Sequence, residues 1–154
     1  MRRPTTVARL AAWGPVVLWL GLIAWMSGDR FSDEQTASWL SGVPFLAAMD
    51  LPPTLIDSAN LILRKSAHFV EYAVLSMLTY RALGQAVASR ARATRLAGAL
   101  ALTLSVAVLD EVHQGTTQTR TGSPRDVLLD AVGAAAGALV GGLYLHRRGA
   151  HRTP

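Results

Sequence analysis

Two short stretches of the sequence carry ionisable side chains at spacings that could do chemistry. The first contains Lys65, His68, Glu71 and Tyr72, and the second is the pentapeptide DEVHQ at 110–114. Positions three and four apart share one face of a helix, so each stretch would present its polar groups together. Both adjoin long apolar runs, where charged groups are costly and mark a functional site by default.

Carboxylates beside imidazoles can act as general acids and bases or as metal ligands. Asp110, Glu111 and His113 offer a base, a metal ligand and an acid within one turn, and they are the candidate catalytic residues if the protein is an enzyme. His68 with Glu71 offers a second such pair. Carboxylates suit Mg²⁺ or Mn²⁺, and two histidines with one glutamate suit zinc, so the sequence leaves the metal unknown. The H-E-x-x-H spacing of zinc proteases is absent.

Composition indicates a membrane protein. The chain has 154 residues, of which 51% are hydrophobic and 16% charged, against roughly 25% charged in soluble domains. The net charge is +5, but the basic residues collect in short segments between apolar runs. Such segments anchor helices against an anionic leaflet, so we expect the lipid bilayer as a partner and no nucleic acid.

Four segments are long and apolar enough to predict membrane spans, at about 10–27, 66–83, 96–113 and 127–146. The first lacks a small-x-small cleavage site and is interpreted as a retained helix, not a signal peptide. The loop 28–65 is expected to hold a short amphipathic helix around Glu34 to Leu40, followed by a Pro-Pro turn. The sequence therefore predicts a single all-α domain, a polytopic membrane protein with four transmembrane helices.

The distribution of charge predicts the orientation. With both termini in the cytoplasm, that side holds no acidic residue and ten arginines, namely Arg2, Arg3, Arg9, Arg81, Arg90, Arg92, Arg95, Arg147, Arg148 and Arg152. The other side then receives all ten acidic residues and five basic ones. This asymmetry follows the positive-inside rule, and it makes 28–65 an extracytoplasmic loop.

In that topology three helix ends bring charge to one outer layer. The candidate ligand-binding residues there are Lys65, His68, Glu71, Tyr72, Gln114, Arg120, Arg125, Asp126 and Asp130. Each also has a structural interpretation: Asp126 follows Ser123 and Pro124 as in an ordinary helix start, Lys65 can reach the headgroups, and acid–base pairs can join helices. The convergence of these groups favours a site over separate structural roles.

The fourth predicted span carries small residues at four-residue spacing. Gly133, Gly137 and Gly141 would let another helix approach closely. A neighbouring helix of the same chain is the preferred partner, and homodimerisation through this face is the second interpretation.

The two motifs resemble those of the VanZ-like membrane proteins. Lys65, His68, Phe69, Glu71 and Tyr72 match the family's K-x-x-H-F-x-E-Y. The second match is D-E-x-H-Q, an arginine and a helix start, here Asp110, Glu111, His113, Gln114, Arg120, Asp126, Asp130 and Gly133. The likeness covers about residues 60–142, and it departs at GTTQT, where the family tends to carry an apolar turn with Pro-Gly.

The resemblance implies a bacterial plasma-membrane protein tied to the cell envelope, in a family named for an accessory protein of resistance to teicoplanin-type antibiotics. It implies no settled reaction. The first hypothesis is an accessory protein that binds a lipid phosphate or a glycopeptide at the outer face. The second is a membrane-embedded hydrolase or transferase acting on a lipid-linked cell-wall intermediate. The third is a charge network that only fixes helix packing.

Overall fold

The structure, a computed structural model, describes residues 5–28, 31–86, 91–116 and 123–150, without the side chains of residues 86 and 146–150. Several arginines used above for the orientation and the site lie outside this description. They are Arg2, Arg3, Arg90, Arg120 and Arg152, together with the side chains of Arg147 and Arg148.

All regular secondary structure in the described ranges is helical, which confirms the all-α class. The helices are α1 Thr6–Met26, α2 Asp33–Ser41, α3 Pro44–Ala47, α4 Pro53–Ala86, α5 Arg92–Gln114 and α6 Pro124–Ala150. Three stretches of the described helices are long and apolar enough to cross a membrane: Thr6–Met26, Arg92–Gln114 and Pro124–Leu145. Helix α4 is long enough, but its charged residues lower its hydropathy, so the fourth span stays a prediction.

Local sequence explains where α2, in the connection between α1 and α4, begins. Ser32 precedes α2, and its hydroxyl accepts a hydrogen bond from the Gln35 amide at 3.4 Å. Asp33 and Glu34 occupy the first turn, where negative charge complements the helix dipole. The structure therefore contains the short helix expected around residues 34–40.

Helix α4 begins at Pro53, well before the span predicted to start at residue 66. Proline suits the first position of a helix, because the amide it lacks would have no partner there. At about 1.5 Å per residue the helix extends about 51 Å, against about 30 Å of hydrocarbon. The first turns of α4 therefore lie within the segment 28–65, which the sequence analysis assigned to a loop. A helix can begin well before its apolar run begins.

Helices α1, α5 and α6 pack around α4. The buried core combines Ala12, Val16 and Ile23 of α1 with Tyr72 and Leu75 of α4. Large apolar side chains elsewhere are exposed, including Leu18, Leu109, Val132 and Leu143. An apolar surface this extensive suits hydrocarbon and not water.

The glycines of α6 lie against the backbone of α4. A methyl group at Gly133 would overlap the Phe69 carbonyl, and one at Gly137 would overlap the Ala73 carbonyl. At Gly141 the nearest atoms, in Met77 and Tyr80, would be 3.4 Å away, an ordinary contact. The close approach of the two helices therefore depends on the first two glycines.

Replacing Gly137 with alanine is expected to destabilise the protein. The new methyl group has to displace α6 from rigid backbone, and overpacking of this kind costs about 1–3 kcal/mol. The matched control is Gly141→Ala, which has room for the methyl group and gains helix propensity, by up to about 1 kcal/mol. Unfolding in mixed detergent micelles measures the free energy of unfolding of both variants. Equal changes in that free energy for the two substitutions would contradict this account of the packing.

Candidate functional site

The Asp110 carboxylate accepts hydrogen bonds from three other side chains. The Tyr72 hydroxyl and the Gln114 side-chain amide donate to its Oδ2 at 3.0 and 2.9 Å. The Ser27 hydroxyl donates to Oδ1. These donors come from α4, α5 and the end of α1, and all four side chains are buried. A single carboxylate thus joins three helices.

Ser27 was not among the residues predicted from the sequence. It follows the last residue of α1, and its amide donates to the Ile23 carbonyl at 2.8 Å as part of the helix end. Its hydroxyl lies at the same distance from that carbonyl, but a carboxylate is the stronger acceptor for its single proton. A serine ending an apolar helix gives no sign in the sequence that it faces a carboxylate on another helix.

A second centre pairs His68 with Asp130. The Nδ1 of His68 lies 3.3 Å from the Asp130 carboxylate, joining α4 to α6. Asp130 is only 1% exposed. Within the described part of the chain, neither oxygen of Asp130 has a donor in good hydrogen-bonding geometry. Among the described residues, His68 is therefore the main group that offsets the cost of burying the Asp130 carboxylate.

Two further carboxylates stabilise the start of α6. Glu111 accepts a hydrogen bond from the Ser123 amide, next to the first turn of the helix. Asp126, within that turn, pairs with Lys65 of α4. The structure thus gives Asp126 a partner on another helix, and it gives Glu111 a capping role.

These contacts separate Glu111 from the other two candidate catalytic residues. Asp110 faces the donors of α1, α4 and α5, whereas Glu111 faces the start of α6. His113 is exposed, and together with Asp110 it lines a second hollow of about 380 Å³ beside Leu20 and Val106. Among the described residues, no three His, Asp or Glu side chains are placed to hold a metal ion. Arg125 is exposed, and Arg120 lies outside the described residues.

A cavity of about 400 Å³ opens beside this layer, between α1, α2, α4 and α5. Its walls are mostly apolar and include Met26, Phe31, Trp39, Leu40, Val43, Leu63 and Ala67. Its polar lining includes Ser27, Thr36, Arg64, His68, Glu71, Asp110 and Gln114. Helix α2, which the sequence placed in a loop, therefore forms one wall of the cavity.

Aromatic contacts support that wall. Phe31 makes edge contacts with Trp25 of α1 and Trp39 of α2, at centroid distances of 4.9 and 5.6 Å. Arg64 pairs with Asp33 at the start of α2, and the Asn60 side chain donates to the Asp33 carbonyl at 3.0 Å. These contacts fix α2 against α4.

Comparison with known proteins identifies a family. A sequence model described as VanZ/LLP1 matches residues 12–145. No curated protein and no solved structure matches the chain.

Removal of the Ser27 hydroxyl is expected to weaken the connection of α1 to the bundle. Ser27→Ala should lower the free energy of unfolding by about 1–3 kcal/mol, because a buried carboxylate loses a donor. Ser105→Ala is the matched control: its hydroxyl also donates to the carbonyl four residues earlier, at 2.8 Å, but is exposed. We expect the free energy of unfolding of this control to stay within about 0.5 kcal/mol of the wild-type value. Equal losses in detergent unfolding would show that the contact with Asp110 contributes nothing.

Proposed function

The chain belongs to the VanZ/LLP1 family, and on that premise we propose that it is a multi-pass protein of the bacterial plasma membrane with an accessory role in the cell envelope. Its cavity at the outer face would bind an amphiphilic envelope ligand, a lipid phosphate or a glycopeptide. The cavity itself is the observation that carries this proposal.

The lining suits an amphiphile because it has two chemical characters. Trp39, Leu40 and Leu63 supply an apolar surface. Arg64, His68 and Gln114 add polar groups to the lining. Ligand pockets commonly combine a large apolar lining with a few placed polar groups that fix orientation.

The proposed topology has four spans, with α4 as the second and both termini in the cytoplasm. The positive-inside rule supports it, and so does the central position of α4, which packs against α1, α5 and α6. In this arrangement the cavity and the polar layer lie at the extracytoplasmic face. An accessory role in antibiotic resistance would follow if the ligand is a glycopeptide.

The arrangement of the acids gives less support to a hydrolase or transferase. Asp110 is engaged by three donors, and Glu111 contacts the start of α6. His113 is exposed and does not line the cavity. A general base must reach the proton it removes, and Glu111 faces the start of α6, whereas Asp110 and His113 share a different hollow.

The topology can be tested on α4 alone. The chain has no cysteine, so Asp57→Cys and Gln85→Cys each introduce a unique thiol at an exposed position of this helix. In intact spheroplasts, a membrane-impermeant maleimide should label Asp57→Cys and leave Gln85→Cys unlabelled until the cells are opened. Labelling of both positions, or of Gln85→Cys alone, would contradict the orientation.

Filling the cavity should prevent binding. Ala67 lines the cavity, and Ala67→Phe places a ring inside it. Val70→Phe adds a ring at a position of the same helix that is 51% exposed. Native mass spectrometry of protein purified in maltoside should show co-purified phospholipid, or added teicoplanin-type glycopeptide, on the wild type and on Val70→Phe. Ala67→Phe should lose the adduct, and a wild type that binds neither probe would refute the proposed function.

A further inference from the structure

The end of the bundle opposite the polar layer has basic side chains and no acidic ones. The end of α4, the start of α5 and the second half of α6 meet there. No Asp or Glu occurs in residues 1–28, 72–109 or 131–154. The arginines at this end therefore have no acidic side chain nearby in the sequence with which to pair.

Arg95 lies at the junction of these three helices. Its guanidinium carbon is 5.5 Å from the centroid of the Tyr80 ring. A methyl group placed on Gly84 of α4 would come 3.0 Å from Nη1 of Arg95 and 3.4 Å from Cδ1 of Leu145 in α6. The Nε of Arg95 is buried and has no hydrogen-bond acceptor among the described residues. The contact with the ring offsets only part of the cost of removing a guanidinium from water, so a nearby anion would be stabilising.

A small recess beside Gly142 brings two further donors together. The point that a methyl group on Gly142 would occupy is 3.5 Å from the hydroxyl oxygen of Tyr80 and 3.6 Å from Nη2 of Arg92. Tyr80 is only 2% exposed, and within the described ranges its hydroxyl has no hydrogen-bond partner. The two groups therefore face one buried space, which suits an oxygen atom that accepts from both.

The start of α5 contributes backbone donors at the same place. Ala91 precedes the helix, and it has no side-chain oxygen that could cap the first amides. The first amides of an α-helix lack partners within the helix, and together with the helix dipole they favour an anion. Because Arg92 and Arg95 belong to the first turn of α5, these amides and both guanidiniums lie at one end of one helix.

The neighbouring surface favours a lipid over a soluble anion. Leu139, Val140 and Leu143 of α6 are 54% to 56% exposed and lie within one turn of Gly142. An apolar surface beside the donors accommodates acyl chains while the phosphate contacts the arginines. Basic sites between membrane helices bind anionic headgroups in this way.

We propose that Tyr80, Arg92 and Arg95, with the first amides of α5, bind the phosphate of an anionic glycerophospholipid. The phosphate oxygens accept from both guanidiniums and from the Tyr80 hydroxyl, since the planar guanidinium matches the geometry of phosphate. In the proposed topology this site faces the cytoplasmic leaflet, on the opposite side of the membrane from the cavity. Binding requires neither that orientation nor a ligand in the cavity, so the site goes beyond the proposed function.

Added lipids test the site in protein whose cavity is filled. Full-length Ala67→Phe is delipidated in maltoside and titrated with dioleoyl phosphatidylglycerol or dioleoyl phosphatidylcholine, and native mass spectrometry measures binding. Because this site is open to the micelle, its lipid is added back and is not expected to co-purify. We expect phosphatidylglycerol to bind about tenfold more tightly, because the choline ammonium would lie close to two guanidiniums. A parallel titration of the wild type keeps the test independent of the folding of Ala67→Phe.

Matched variants assign the binding to side chains. Arg95→Gln should weaken phosphatidylglycerol binding about fivefold or more, whereas Arg9→Gln, exposed near the start of α1, removes the same charge and should stay within about twofold. Gly142→Ala fills the recess through ordinary contacts and should weaken binding about threefold or more. Its control is Gly21→Ala, because a methyl group there would have no atom within 4 Å.

The melting temperature of each variant separates binding from packing. If Arg95 only packs on Tyr80, Arg95→Gln lowers the melting temperature and leaves the affinity for phosphatidylglycerol unchanged, which would overturn the proposal. Equal binding of the two lipids would also overturn it. Displacement of phosphatidylglycerol by excess inorganic phosphate would overturn the assignment to a lipid. None of these results bears on the cavity, and a cavity that binds no amphiphile would leave this site in place.

Discussion

The burial of carboxylates in an otherwise apolar bundle is the constraint on which the structure depends. A buried carboxylate is tolerated only where donors or a counter-ion replace water. Asp110 meets this requirement with hydrogen bonds from three neutral donors. Asp130 meets it with His68. Because the partners come from different helices, satisfying these two acids also fixes how α1, α4, α5 and α6 are placed.

Helix α4 connects the polar layer to the apolar packing. It supplies His68 to one centre and Tyr72 to the other. The Phe69 carbonyl, next to His68, lies against Gly133 of α6, one turn from Asp130. On another face of α4 the Trp19 indole donates to the Glu71 carbonyl at 2.9 Å. The helix contacts that hold the bundle therefore also set the separation of the paired side chains.

The sequence predicted the class of the fold because apolar periodicity and length are local properties. It also predicted that charge from three helix ends would meet, since antiparallel helices bring alternate ends to one level. It could not predict the start of α4 at Pro53, because the segment from Pro53 to Lys65 is too polar for a span yet still helical. Nor could it identify Ser27 or the wall formed by α2, because those contacts depend on how helices are rotated and on where a connection packs.

The acidic side chains near the cavity have different roles. Adjacent residues of α5 point to different partners: Asp110 towards the bundle and the cavity, Glu111 towards the start of α6. A catalytic site needs its proton donors and acceptors focused on one reacting bond. Here Asp110, Glu111, Asp126 and Asp130 each contact another protein group. Asp110 also lines the mostly apolar cavity, which Arg64 and His68 line too. The division of these acids between packing and the cavity is the reason that we propose binding over chemistry at this site.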